Sequence, residues 1–139
     1  SKISIKYALA KFQLIDLALK GAKDPVRTFV VKYEKNSYFK EVVKNIKLII
    51  ALKKNPHPLT VKKLGMACSY PGTFNSAIHA IISSSTYKDS VLKSIKAGGC
   101  NCSRVNFIGA YFAALQGLDS IPKTWISKTE LAKKIINQR

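Results

Sequence analysis

Three cysteines (Cys68, Cys100 and Cys102) and two histidines (His57 and His79) are the residues of this 139-residue chain best suited to nucleophilic or metal chemistry. Cys100-x-Cys102 is a weak zinc signal, because no second ligand pair follows and neither histidine falls at ligand spacing. An odd number of cysteines builds no disulfide framework and suits a reducing compartment. Structural thiols are the favoured reading, ahead of a redox or reactive role and of a metal. A Cys100–His79 nucleophile pair ranks last. The seven acids are Asp16, Asp24, Glu34, Glu41, Asp89, Asp119 and Glu130. They are scattered, whereas a metal pair that activates water needs several carboxylates together. No catalytic set and no cofactor is therefore expected.

The cysteine pair belongs to a loop, Gly98-Gly99-Cys100-Asn101-Cys102-Ser103-Arg104, between two apolar stretches. The double glycine allows a tight backbone turn. Asn101 and Ser103 are placed to cap a following helix, whose N-terminus could hold an anion with help from Arg104. A plain capping loop is the first reading and a residual phosphate or nucleotide site the second.

The elements that must position this loop are helical. Residues 3–20 are apolar on most sides (Ile5, Ala8, Leu9, Phe12, Ile15, Leu19), which predicts a helix inside a bundle. Asp24-Pro25 starts a short second helix. Asn36-Ser37 is read as the cap of a third, with Phe39, Val42, Val43, Ile46, Ile49 and Ile50 on one face. Asn55-Pro56-His57-Pro58 is a break, with Thr60 capping a short turn through Leu64. Further helices are predicted from Thr73 to Ser83, over 88–97, over 104–116 and over 127–137. Phe107, Tyr111 and Phe112 are assigned to the core. Alternation of strand type is never sustained, so the chain reads as one all-α, multi-helix bundle over residues 1–139. No apolar run is long enough to cross a membrane. No secretory signal segment opens the chain, and a start at Ser1 fits a removed leader.

Twenty-four Lys and Arg against seven Asp and Glu give a net charge of +17. Lys40, Lys44, Lys47 and Lys54 form a basic stripe on the third helix. A field of this sign attracts polyanions, with nucleic acid ahead of an anionic membrane surface. Lysine meets phosphate as a point charge and carries little base specificity.

Three strings carry a family resemblance: Leu64-Gly-Met-Ala-Cys-Ser-Tyr-Pro-Gly-Thr-Phe-Asn-Ser-Ala-Ile-His79, Lys96-Ala-Gly-Gly-Cys-Asn-Cys-Ser-Arg-Val-Asn-Phe-Ile-Gly-Ala110 and Gly117-Leu-Asp-Ser-Ile-Pro-Lys-Thr-Trp-Ile126. Together they resemble the ADP-ribosylglycohydrolase superfamily, in the branch that contains the jellyfish J-type crystallin. The specific match covers 64–129, and residues 7–63 fit by helical pattern alone. The resemblance implies an all-α fold in proteins roughly twice this length. In the active enzymes it implies cleavage of ADP-ribosyl bonds with two magnesium ions. Their ligands come from an acidic motif in the N-terminal half, expected to be absent here, and from a Gly-Gly-Asp-x-Asp loop. In that loop the two Asp positions match Cys100 and Cys102, and the crystallin-like branch ordinarily keeps the first acid.

These readings predict a non-catalytic relative serving as a structural subunit of an RNA-rich assembly, such as an organellar ribosome. RNA phosphates and neighbouring proteins are its expected partners, one of them obligate, in an intracellular, reducing setting with the mitochondrion as the candidate organelle. The alternatives are one lobe of a split or processed magnesium-dependent hydrolase and a crystallin-like scaffold.

Overall fold

The computed structural model describes residues 1–138 and is all-helical over that range. In chain order the helices are α1 (Lys2–Leu19), α2 (Pro25–Tyr33), α3 (Lys40–Ala51), α4 (His57–Leu64), α5 (Gly72–Ile82), α6 (Tyr87–Lys96), α7 (Asn101–Gln116), α8 (Lys123–Lys128) and α9 (Glu130–Ile136). A single 3-10 turn, Leu118–Ser120, follows α7.

Local chemistry sets most of the boundaries. The Asp24 carboxylate accepts from Arg27 N–H at 3.0 Å and Pro25 occupies the first turn of α2, as its sequence predicts. Thr86 caps α6 by accepting from Asp89 N–H at 3.1 Å. Four expectations are corrected. Asn36 accepts from Phe39 N–H at 3.1 Å, so it closes a turn ahead of α3, and the helix starts only at Lys40. The Pro56-His57-Pro58 segment does more than break a helix, because Pro58 lies in the first turn of α4, where its missing N–H costs nothing. Thr60 is then inside that helix, with its hydroxyl donating to Pro56 O at 3.0 Å. The helix predicted over 127–137 is interrupted at Thr129, whose φ of −100° and ψ of 111° separate α8 from α9.

α5 is the central element. It contacts α3, α4, α6 and α7, and every residue from Gly72 to Ile81 is buried. α7 crosses it and also packs on α1 and α6. Phe74 stacks on Phe107 at 6.0 Å and tilts against Tyr7 at 5.1 Å, which joins α1, α5 and α7. Phe107, Tyr111 and Phe112 are core residues, as assigned.

α1 departs from expectation. It buries Tyr7, Ala10, Leu14, Leu17 and Ala18 but turns Ile5, Ala8, Leu9, Phe12 and Leu19 to solvent, with Phe12 61% exposed. An all-round apolar sequence thus supplies one face to this core and leaves a second face uncovered.

Candidate functional site

Two loops meet at the N-terminus of α7. The first, residues 65–71, leaves α4 and enters α5. The second, Gly98–Cys100, joins α6 to α7. Cys100 N–H donates to Met66 O at 2.8 Å and pins one loop to the other. Gly99 permits this approach. Its φ is +72°, and a Cβ there would lie 2.5 Å from Met66 O.

Cys100 is the N-cap of α7, so the helix begins at Asn101, three residues earlier than its sequence predicts. Asn101 and Ser103 therefore fall inside the first turn and do not cap it. Asn101 Oδ1 accepts from Arg104 Nη2 at 2.8 Å, and Ser103 Oγ sits 3.1 Å from Cys100 Sγ. Cys68, carried in by the first loop, brings its thiol near enough to Cys100 and Ser103 for the two cysteines to shift one another. That proximity, the Ser103 hydroxyl and N–H, and the Arg104 charge bring the Cys100 thiol down to about 7, against partial burial. The same proximity to Cys100 pushes the Cys68 thiol up. None of the three thiols is packed in the core: Cys68 and Cys102 are exposed and Cys100 is half-buried.

Arg104 points inward and is fully buried. Its Nε donates to Ser94 Oγ at 3.1 Å, and Nη2 donates to Ser94 O at 3.3 Å and to Gly98 O. These carbonyls lie at the C-terminus of α6, where the helix dipole is negative, so they offset the buried cation without a carboxylate. Arg104 is thus the lock between α6 and the loop. It does not face solvent to hold an anion.

A second polar pair was not legible in the sequence. His57 at the start of α4 and His79 in α5 are buried with their Nδ1 atoms 2.8 Å apart and rings stacked at 5.1 Å. His79 Nε2 lies 3.0 Å from Leu52 O and must donate to it, since a carbonyl only accepts. His79 Nδ1 then accepts, and His57 Nδ1–H is the donor between the rings. Burial first, then the charges of His79, Arg104 and Lys93, lower His57 to about 4. Burial also lowers His79, against the opposing hydrogen bond to Leu52 O. The pair is a neutral structural bridge between α4 and α5.

Lys40, Lys44, Lys47 and Lys54 are all exposed. The first three share a face of α3, while Lys54 falls past its end at Ala51 and is not part of a helical stripe. Lys47 is paired with Glu34 at 2.5 Å.

Magnesium takes hard oxygen ligands. The loop presents two thiols and a hydroxyl, and among the described residues no three His, Cys, Asp or Glu side chains gather at metal-binding distance. These residues do not fit a magnesium pair, and no chemical step is derived through one.

The model of the ADP-ribosylglycohydrolase family matches residues 3–138. Crystallin J1A of Tripedalia cystophora is 41% identical over 76 residues, 55% of this chain and 24% of that protein. Crystallin J1B of the same organism is 34% identical over 76 residues, with the same two shares, 55% and 24%. The matched stretch is thus about a quarter of the length of these relatives. No solved structure matches the chain. The family match runs through α1–α3, so membership is not confined to the stretch 64–129 where the motifs are specific. From α1 to α9, the chain belongs to the ADP-ribosylglycohydrolase family.

Proposed function

We propose that this chain is a non-catalytic member of the family that binds RNA phosphates as a structural subunit of an RNA-rich assembly, an organellar ribosome being the concrete setting. The observation that carries the reading is the excess of solvated lysine. The net charge is +17, and Lys40 and Lys44 stand exposed on α3 with no salt-bridge partner among the described residues. A reducing, intracellular and specifically mitochondrial compartment is part of the same proposal, since it keeps Cys68 and Cys100 as thiols. Neutralising phosphates releases counterions, so RNA affinity should fall steeply with salt. Lys44→Ala should reduce the slope of log K against log salt by about one unit without changing base preference. A flat salt response, or no binding to an RNA oligonucleotide at low salt, would remove the reading.

The open face of α1 favours a second reading, in which another lobe or a neighbouring protein covers Ile5, Leu9 and Phe12. That lobe could supply the acids of a split hydrolase. The crystallin names of the relatives favour a protein-only scaffold instead. Phe12→Asp separates these from the RNA reading, because it should abolish assembly with a covering partner and leave RNA affinity in place.

A further inference from the structure

Three nucleophilic side chains converge where the two loops meet. Cys68 and Cys100 approach from different elements, near enough for each thiol to shift the other, and Ser103 Oγ lies 3.1 Å from Cys100 Sγ. The approach is built into the backbone by the Cys100 N–H bond to Met66 O at 2.8 Å, two residues from Cys68. Cys100 is also the N-cap residue of a 16-residue helix that has no side-chain cap, so the unpaired N–H groups of α7 favour negative charge on its sulfur. Cys68 is exposed and Cys100 half-buried, so small reagents reach the pair from solvent. Cys102 is exposed in the first turn of α7 and has no hydroxyl or thiol partner among the described residues.

We propose that Cys100 is a hydroperoxide-reactive thiol whose oxidised form is resolved by Cys68, closing a Cys68–Cys100 disulfide between the two loops. The Cys100 thiolate attacks a peroxide oxygen. An S–O bond forms, the O–O bond breaks, and the leaving oxygen departs as water or an alcohol after taking a proton. The Cys68 sulfur then attacks the Cys100 sulfenic acid. The S–S bond forms, the S–O bond breaks, and the hydroxyl leaves as water with the Cys68 proton. Two thiols lose two electrons and one hydroperoxide gains them.

The groups facing Cys100 assign these roles. Cys68 and Ser103 lie beside its sulfur and Arg104 adds positive charge, holding Cys100 near 7. Cys68 is held up by its proximity to Cys100, and this hindrance is removed once Cys100 has become a neutral sulfenic acid. At pH 7 a thiol of that kind carries about fifteen times the thiolate of an ordinary cysteine, offset in part by its lower nucleophilicity.

The test uses the reduced full chain. Alkylation with iodoacetamide at pH 7, followed by peptide mapping, should label Cys100 about three to ten times faster than Cys102. The rate at Cys100 should rise with pH about a midpoint near 7. A limiting amount of hydrogen peroxide should give a single linked peptide pair, Cys68 with Cys100. In Cys68→Ser the same treatment should leave a sulfenic acid at Cys100 that dimedone traps, and Cys102→Ser should behave as the parent chain. Equal labelling of all three thiols would overturn the proposal. So would linkage through Cys102, or oxidation of Cys100→Ser at Cys68 at the parent rate. The parent-chain measurements need no variant and stand if one of the variants fails to fold.

Discussion

The two ends of the molecule build their interiors from different materials. Every buried polar or charged residue among those described lies between His57 and Arg104. α1–α3 bury only apolar and aromatic side chains, from Tyr7 to Ile49. In the first region a unique arrangement is specified by hydrogen bonds: the His57–His79 bridge and the Arg104 lock at the end of α6. Such networks fix one packing, at a cost where a buried atom stays unpaired, as His57 Nε2 and Arg104 Nη1 do. The second region is held mainly by apolar packing, with side-chain bonds from Asn45 to the Tyr7 hydroxyl at 2.9 Å and from the Tyr33 hydroxyl to Gln13 at 2.7 Å. The Gly98–Arg104 loop, which by resemblance would hold the family's metal-binding positions, hangs from the specified region. The exposed Lys40 and Lys44 hang from the generic one, where a surface can change its charge without disturbing the core.

The largest expected effects break this comparison at its apolar centre. Phe74→Ala removes a fully buried ring that joins α1, α5 and α7 and should cost about 3–5 kcal/mol in urea-induced unfolding. Phe12→Asp, on the uncovered face, should shift the stability of the same chain by no more than about 0.5 kcal/mol. A large loss for Phe12→Asp would place that side chain in a core these helices close by themselves.

Next comes the polar lock. Arg104→Ala leaves Ser94 Oγ and Gly98 O without their donor and should cost about 2–4 kcal/mol. Arg104→Lys should recover only part of it, since an ammonium cannot reproduce the fork that spans Ser94, Gly98 and Asn101. Full rescue by lysine would reduce the lock to a point charge.

The histidine bridge sharpens the comparison through pH. Both imidazoles are held below their unfolded value, so the unfolded state binds more protons as acid is added. Stability should be complete above about pH 6.5 and fall as the pH drops toward 4. The loss attributable to His57 is on the order of 3 kcal/mol. His57→Phe should flatten this ramp, and an unchanged ramp would locate the acid sensitivity elsewhere. The smallest effect belongs to the surface. Lys44→Ala should leave stability within about 0.5 kcal/mol and show itself only in the salt dependence of RNA binding.

The same division explains how much could be read from the residues alone. Among the described residues, seven of the nine helices were indicated by period and punctuation, because Asp24-Pro25 and the apolar repeats act locally. The break at Thr129, which divides the last predicted helix in two, was not. The family motifs of 64–129 were legible because they are three ordered strings, each local in the chain. What could not be read was set by distance along the chain. His57 and His79 meet across 22 residues, and Cys68 reaches Cys100 only through the bond at Met66. Nothing in the string Cys-Ser-Arg reveals that Arg104 turns inward, because its acceptors are backbone carbonyls of the preceding helix. Likewise the period of α1 shows that it is apolar, but which face is buried depends on the neighbours it has.

The proposal most open to a direct test is that this chain does not carry out magnesium-dependent hydrolysis. The most direct test is hydrolysis of an ADP-ribosyl substrate by the full chain with magnesium, alongside Cys100→Asp and Cys100→Ala. The account predicts no magnesium-dependent turnover in the parent chain and none in Cys100→Asp, since one restored carboxylate does not assemble a metal pair. Turnover in the parent chain that requires magnesium and disappears in Cys100→Ala would contradict it.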